Sequence, residues 1–317
     1  MASEFNIIRD FFTHPTRHTD LSVGDDAALL RVRNGHQLAI STDMLVTGTH
    51  FFADAPPYDI GWKALAVNVS DMAAMGAQPK WATLAIALPE NNASWLGEFA
   101  RGFFACADTF GVDLIGGDTT RGPLNISVTI FGEIPQGLAL RRDGAKAGDD
   151  VWVSSYIGTA AAGLAHLLGK IRLENDALEA SLDALHRPVP RVGLGLALRE
   201  IASSCIDISD GLAADLGHVL ENSKLGADIF YADISKHPAL ESSLDEAFEA
   251  MVLSGGDDYE LCFTAPQDKR DAIKHIAQDL NLKLTRIGNT RAESGLTIYD
   301  ANHQPMVLKI AGYDHFK

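Results

Sequence analysis

Residues 59–76 read DIGWKALAVNVSDMAAMG, and the spacing of their apolar side chains predicts a helix with two unlike faces. Trp62, Leu65, Ala66, Val69, Met72 and Ala73 recur at intervals of three and four, the repeat of one buried helical face. Asn68, Asp71 and Met75 share a different face. An aspartate inside such a run has low helix propensity and no terminus to cap. Asp71 therefore points to chemistry.

Working outward, alternating apolar and β-branched residues predict strands near 38–42, 81–88, 112–115 and 124–132. A second helix is expected over 94–110, with Ser94 as its N-cap and Gly111 just past its end. Strands and helices in this order predict an α+β half with a split βαβ layout. Residues 135–150 are polar and rich in turn formers, so we place a domain boundary there, dividing the chain into 1–140 and 141–317. The second half is expected to mix strands near 151–154, 205–208 and 259–264 with helices near 159–168, 191–203, from 211, and 267–280. No repeat of 20–50 residues is evident.

At 317 residues the chain is long enough for two medium domains, each burying its own core. Lys+Arg 26 against Asp+Glu 42 leaves a net charge of −16, which disfavours nucleic acid and anionic membrane as partners. The first twelve residues carry Glu4, Arg9 and Asp10 and no apolar core of a secretory signal. Apolar runs fall short of the roughly 18 residues that span a bilayer, and a cytoplasmic protein is expected. Cys106, Cys205 and Cys262 are odd in number and far apart in apolar surroundings, a pattern of reduced buried thiols.

Aspartates next to glycines or hydroxyls then recur at the edges of expected elements. They are Gly24-Asp25-Asp26, Ser41-Thr42-Asp43, Asn68-Val69-Ser70-Asp71, Gly116-Gly117-Asp118-Thr119-Thr120, Asp207-Ile208-Ser209-Asp210-Gly211 and Gly255-Gly256-Asp257-Asp258. Any one of them taken alone is more often a turn or cap residue. Together they suit a metal-bridged nucleotide. Magnesium is a hard cation that takes carboxylate, water and phosphate oxygens, and glycine lets phosphate oxygens approach main-chain N–H groups. Two carboxylates about 4 Å apart repel by roughly 4 kcal/mol at an effective dielectric of 20, so convergent aspartates need cations. Neither a G-x-x-x-x-G-K-[ST] loop nor the H-R-D and D-F-G pair of protein kinases is present.

These segments, with His50-Phe51, Arg142-Asp-Gly-Ala and Gly255-Gly-Asp-Asp-Tyr-Glu-Leu, closely resemble the thiamine-monophosphate kinase family from about residue 3 onward. That family belongs to the superfamily of aminoimidazole ribonucleotide synthetase, selenophosphate synthetase and a hydrogenase maturation protein. The resemblance implies two mixed α/β domains, the first binding ATP and metal and forming a dimer-spanning β-barrel in a homodimer. It implies direct transfer of the γ-phosphate of ATP to thiamine monophosphate with several Mg²⁺ ions. By motif, Asp26, Ser41, Thr42, Asp43, Asp71, Asp118, Asp207 and Asp210 are expected as metal ligands, and Gly117, Asp118, Arg142 and Ser209 as ATP contacts. His50, Glu260 and an aromatic of the closing Gly312-Tyr-Asp-His-Phe, Tyr313 or the favoured Phe316, are expected at the acceptor. No general base is identified, and none is needed: a phosphate monoester with a second pKa near 6 is mostly the nucleophilic dianion at neutral pH.

Another ATP-dependent member of the superfamily, such as a selenophosphate synthetase, is the nearest alternative. Against it, the first cysteine is Cys106, inside a helical pattern, and Gly117-Asp118-Thr119 stands where the aminoimidazole ribonucleotide enzyme usually has Gly-Gly-Glu-Thr. A nucleotide or thiamine-phosphate sensor would have lost some of the acidic motifs, and none is lost.

Overall fold

The computed structural model describes residues 4–243, 246–307 and 312–313. The chain forms two compact units that divide after Gly137, with Ala73–Gly76 belonging to the second. The first unit contains α1 (Glu4–Phe11), β1 (Thr19–Leu21), β2 (Leu29–Leu30), β3 (His36–Val46), α2 (Pro57–Ala74), β4 (Gln78–Leu88), α3 (Ala93–Phe110), β5 (Asp113–Arg121) and β6 (Asn125–Pro135). Its main sheet has the order β3-β6-β4-β5. The first two pairings are antiparallel, and β4 and β5 run parallel because α3 supplies the crossover. Among the described residues the sheet is open, with β3 and β5 as its edges, and no closed barrel forms within one chain.

α2 is the helix expected from its apolar repeat, and Leu65, Val69, Met72 and Ala73 are buried. Gly61 and Gly102 let it cross α3 closely, since a Cβ on Gly61 would lie 2.1 Å from Phe99 O and one on Gly102 1.8 Å from Tyr58 O. The N-cap of α3 is Asn92, whose side chain accepts the Trp95 N–H, and not Ser94. Gly111 ends that helix in the left-handed conformation, as expected.

The second unit contains β7 (Asp150–Ser154), α4 (Thr159–Leu167), α5 (Asn175–His186), α6 (Val192–Ala197), β8 (Ser204–Asp207), α7 (Leu212–Ser223), β9 (Gly226–Phe230), α8 (Glu246–Ser254), β10 (Leu261–Ala265), α9 (Arg270–Asp279), β11 (Leu284–Arg291) and β12 (Gly295–Tyr299). Its six strands run β12-β9-β11-β7-β10-β8, antiparallel except for β12 beside β9. One core joins Val151, Val153, Ile206, Ile229 and Ile287 of the strands to Leu212, Leu216 and Val219 of α7 and Phe248 and Val252 of α8. All three cysteines are free and buried, as their apolar surroundings suggest. No helix among the described residues is long and apolar enough to cross a membrane.

Candidate active site

In the first unit, the pleat of β3 sends Ser41 and Asp43 to one face, and that face meets α2. Ser41 Oγ donates to Asp71 Oδ2 at 2.5 Å, and Asn68 Oδ1 accepts the Asp43 N–H at 3.1 Å. Asn68 is fully buried, and its amide nitrogen donates to Ala64 O, which fixes the amide so that its oxygen faces the strand. The helix face carrying Asn68 and Asp71 is thus the one turned to the Ser41–Asp43 segment. Thr42 is separated from them: it lies on the opposite face, with its hydroxyl 2.9 Å from that of Thr129 on β6.

A cavity of about 580 Å³ opens in the same unit between Gly24–Ala28 and Gly116–Thr119. Phe5, Ile8 and Phe12 of α1 supply an apolar wall, while Asp25, Asp26 and Asp118 supply carboxylates. Gly117 has φ +150, and a Cβ there would meet Leu84 O at 1.8 Å, so β4 and β5 approach each other only because this residue is glycine. Gly116 has open space where its side chain would be. A concave site with an apolar wall and a few carboxylates at glycine turns suits a nucleotide carrying metal-bound phosphates.

The second unit gathers the remaining acidic motifs. Asp207 is buried at the end of β8, and the loop that follows leads into α7. Ser209 O accepts the Asp257 N–H at 2.9 Å, Ile208 O accepts that of Tyr259 at 2.8 Å, and Asp210 O accepts that of Tyr313 at 3.0 Å. Asp257 and Tyr259 hold φ values of +70 and +50, left-handed backbone that non-glycine residues adopt at a cost of about 1–3 kcal/mol. Gly256 makes this approach possible, because a Cβ there would lie 2.2 Å from Ser209 O. Asp258 is buried and accepts the Gly158 N–H at 2.8 Å at the start of α4; burial, with Glu260 and Asp257 nearby, pushes its pKa well up against that bond.

Glu260 lies just outside the strand expected over 259–264, which begins at Leu261. It precedes β10, is buried, and is held by Arg191 through Nε at 2.7 Å and also through Nη2, with Ser154 Oγ donating at 2.5 Å. Burial raises its pKa, and the Arg191 contacts offset only part of that rise. Nothing in the local sequence marks Arg191, whose partner is 69 residues away. Asp215 was also not singled out: burial pushes it up to about 7, against N–H donations from the loop before α7 that favour the charged form. Its signal was an acidic residue in the first turn of the helix after Asp210-Gly211.

Of the other expected contacts, Arg142 is exposed. His50 accepts the Val46 N–H at Nδ1, so a neutral ring carries its hydrogen on Nε2. Tyr313 is 53% exposed, and Phe316 lies outside the described residues. Asp26, Ser41, Asp43, Asp71 and Asp118 fall in the first unit and Asp207, Ser209, Asp210 and Glu260 in the second. Among the described residues no three His, Cys, Asp or Glu side chains converge as a ready-made metal cage. The donor set, carboxylates and hydroxyls, is nevertheless the hard-oxygen type that suits Mg²⁺, which is commonly completed by water and substrate phosphates.

Residues 24–134 match the AIR synthase related protein, N-terminal domain, and residues 146–301 match its C-terminal domain. The thiamine-monophosphate kinase of Salmonella typhimurium is 43% identical over 321 residues, covering 99% of this chain and 98% of that protein. That of Escherichia coli is 44% identical with the same coverage. A crystal structure of thiamine-monophosphate kinase from Stenotrophomonas maltophilia superposes with a TM-score of 0.84 at 47% identity, covering 89% of this chain and 91% of that one. The structure of AaThiL complexed with AMPPCP and TMP matches at TM-score 0.80 and 28% identity, over 99% and 97% of the two chains.

Proposed function

The chain belongs to the AIR synthase related family and, within it, to the thiamine-monophosphate kinases, and we propose on that premise that it makes thiamine diphosphate. ATP is the phosphoryl donor and thiamine monophosphate the acceptor. An oxygen of the acceptor phosphate attacks the γ-phosphorus in line, the bond from that phosphorus to the β-bridging oxygen breaks, and ADP leaves. The observation that carries this reading is the cavity whose walls join Gly24–Ala28 to Gly116–Thr119 beside an apolar helix face. The full-length similarity to thiamine-monophosphate kinases and the related complex with AMPPCP and TMP support it.

Asp26, Ser41, Asp43, Asp71 and Asp118 in the first unit and Asp207 and Asp210 in the second are the residues that would hold Mg²⁺; the Thr42 hydroxyl, turned to Thr129 on the other face of β3, is left out of this set. Bound there, Mg²⁺ would screen the β- and γ-phosphate charge and the repulsion between two anionic substrates. Gly117 lines the cavity with main chain that the phosphates can approach, and Asp118 follows it at the cavity wall. Arg142 offers a planar donor fork to ATP, and Ser209 a hydroxyl. His50 can donate from Nε2, while Tyr313 or Phe316 presents an aromatic face to the acceptor's cationic ring. Glu260 enters this set already paired with Arg191, so its contact with that ring is made by the pair. No residue is assigned as a base, because the acceptor phosphate arrives ionised.

We assign a homodimer built on β3. Leu38, Ile40 and Met44 lie on one face of this edge strand and are 38%, 58% and 54% exposed, a row of apolar side chains left uncovered among the described residues. A second copy packed on that face would cover these side chains, and one paired along the free edge of β3 would also extend the sheet across two chains. A cytoplasmic setting suits the buried free thiols. The deciding experiment is mass analysis of products after incubation with ATP, Mg²⁺ and a panel of small phosphate acceptors. Thiamine diphosphate as the product is the expected result; no diphosphate from thiamine monophosphate, with another acceptor consumed, rejects the assignment.

A further inference from the structure

Between β8 and α7 the chain winds around a single oxygen atom. Asp215 Oδ2 accepts the N–H groups of Ser209 at 3.0 Å, Asp210 at 3.0 Å and Gly211 at 3.1 Å. Asp215 is 2% exposed, so no solvent competes for these bonds. Consecutive N–H groups in a turn before a helix ordinarily face outward and receive an anion such as phosphate. Here an internal carboxylate has taken that place. The main chain of this turn has no N–H left to offer a nucleotide, and what it can present is the Ser209 hydroxyl and the Asp210 carboxylate.

The same turn is fixed from outside through its carbonyls. Ser209 O accepts from Asp257 and Asp210 O from Tyr313, while Gly211, at φ +121, is packed against the backbone of Ser254. With the carbonyls held by Asp257 and Tyr313 and the N–H groups by Asp215, the turn is gripped on both sides. Removing the carboxylate would leave one buried and two half-buried donors without an acceptor unless the turn rearranges to reach water. Rearrangement is the lower-energy outcome, and it would move Ser209 and Asp210 together.

We infer that Asp215 is a positioning residue for the nucleotide end of the reaction: it touches no substrate and sets the directions of the Ser209 and Asp210 side chains by holding their backbone. This rests on the reading above in which those two residues contact ATP and its metal. A purely structural carboxylate would, on removal, lower stability without selecting between the two substrates. A positioning residue affects ATP more than thiamine monophosphate, to whose contacts this turn is linked through the Asp210 carbonyl and the Tyr313 N–H.

The test uses the full-length protein with Asp215→Ala and Asp215→Asn. Asparagine keeps an acceptor oxygen of the same reach, so it restores part of the turn. Four quantities are measured: KM for ATP, KM for thiamine monophosphate, the Mg²⁺ concentration for half-maximal rate, and the Kd for the non-hydrolysable nucleotide AMPPCP without acceptor. Asp215→Ala is expected to raise the KM for ATP and the Kd for AMPPCP about tenfold or more, to raise the Mg²⁺ requirement, and to change the KM for thiamine monophosphate by a clearly smaller factor. Asp215→Asn is expected to fall between that variant and the wild type. A folded Asp215→Ala protein with wild-type AMPPCP affinity overturns the inference, as does an equal loss toward both substrates. If the alanine variant does not fold, the asparagine variant decides alone, and unchanged AMPPCP affinity in it rejects the role. Should the wild type bind AMPPCP but fail to phosphorylate thiamine monophosphate, the kinase assignment fails, and the Asp215 inference stands or falls on the AMPPCP measurements.

Discussion

Ser41 on β3 donates its hydroxyl hydrogen to Asp71 on α2 across 2.5 Å, so the helix-interior aspartate faces the hydroxyl-and-acid segment of the strand. Asp71→Asn keeps an oxygen that can still accept from Ser41, and the fold should survive while the charge is lost. The kcat of this variant, and of Asp43→Asn, is expected to fall on the order of a hundredfold or more, the size seen when one designed electrostatic contact is removed. A coupled ADP assay alongside circular dichroism checks this, and full activity in either variant removes that residue from the metal site. Excess chelator should abolish turnover in the wild type.

Adjacent glycines on β5 are predicted to behave differently. Gly117→Ala places a Cβ 1.8 Å from Leu84 O at φ +150, a clash with backbone that cannot yield while the β4–β5 ladder holds. We expect a loss of about 3 kcal/mol or more, or failure to fold. Gly116→Ala meets nothing within 4 Å and should melt like the wild type, but its methyl group enters the cavity and should raise the KM for ATP. Thermal melts and ATP titrations of both variants separate the two roles. Equal melting temperatures would show that the close approach at Gly117 is not what holds the strands.

Covering Ile40 and Met44 is the proposed purpose of the dimer, so Ile40→Glu should dissociate it. Light scattering of the wild type at micromolar concentration is expected to give twice the chain mass, and the variant the 34.0 kDa of one chain. A wild-type mass near that of one chain would contradict the assignment.

Glu133 offers a pH-dependent contribution to the stability of the first unit. Burial would raise its pKa, but the Arg33 N–H and guanidinium, both bonded to its carboxylate, bring it below the usual range. A depressed carboxylate contributes stability above its unfolded pKa and loses it as pH falls through the folded value. Glu133→Gln should therefore destabilise the protein by about 1–3 kcal/mol at neutral pH. The difference from wild type should close in acid. Urea melts at several pH values measure it, and a pH-independent difference would mean that packing, not charge, sets the effect.

The sequence was most legible where one period ran unbroken. The buried face of α2, the strands β4 and β6, and Gly111 at the end of α3 follow from local pattern. β11 did not, because Gly288 and Asn289 interrupt its alternation and its register shifts between Arg286 and Gly288. The structural reason lies elsewhere in the chain: a Cβ on Gly288 would come 2.0 Å from Asp228 O of β9. The helix expected over 191–203 stops at Ala197, with Glu200 left-handed in the turn that follows. In the site, motifs gave the acidic residues but not their surroundings. The pairing of Glu260 with Arg191 and the grip of Asp215 on its turn depend on folding across the chain or on backbone geometry, neither of which leaves a periodic trace.

Acceptor choice is the sharpest consequence of a site with no assigned base. Thiamine monophosphate should be phosphorylated efficiently and thiamine itself very poorly. An alcohol must lose its proton as it attacks, and without a positioned base that step lacks roughly 10²–10⁴-fold of rate. The acceptor phosphate needs no such help: with a second pKa near 6 it is already mostly the dianion at pH 7, and the same charge would draw it toward cations held by the aspartates. Thiamine keeps the cationic ring that Tyr313 or Phe316 would face, a contact worth about 0.5–2 kcal/mol, so it should still bind weakly and act as a competitive inhibitor. Measuring kcat/KM for both acceptors under identical ATP and Mg²⁺, with products separated by chromatography, decides the matter. A hundredfold or greater preference for the monophosphate is the outcome expected of about that much missing general-base catalysis; comparable values would mean that a base operates in this site after all.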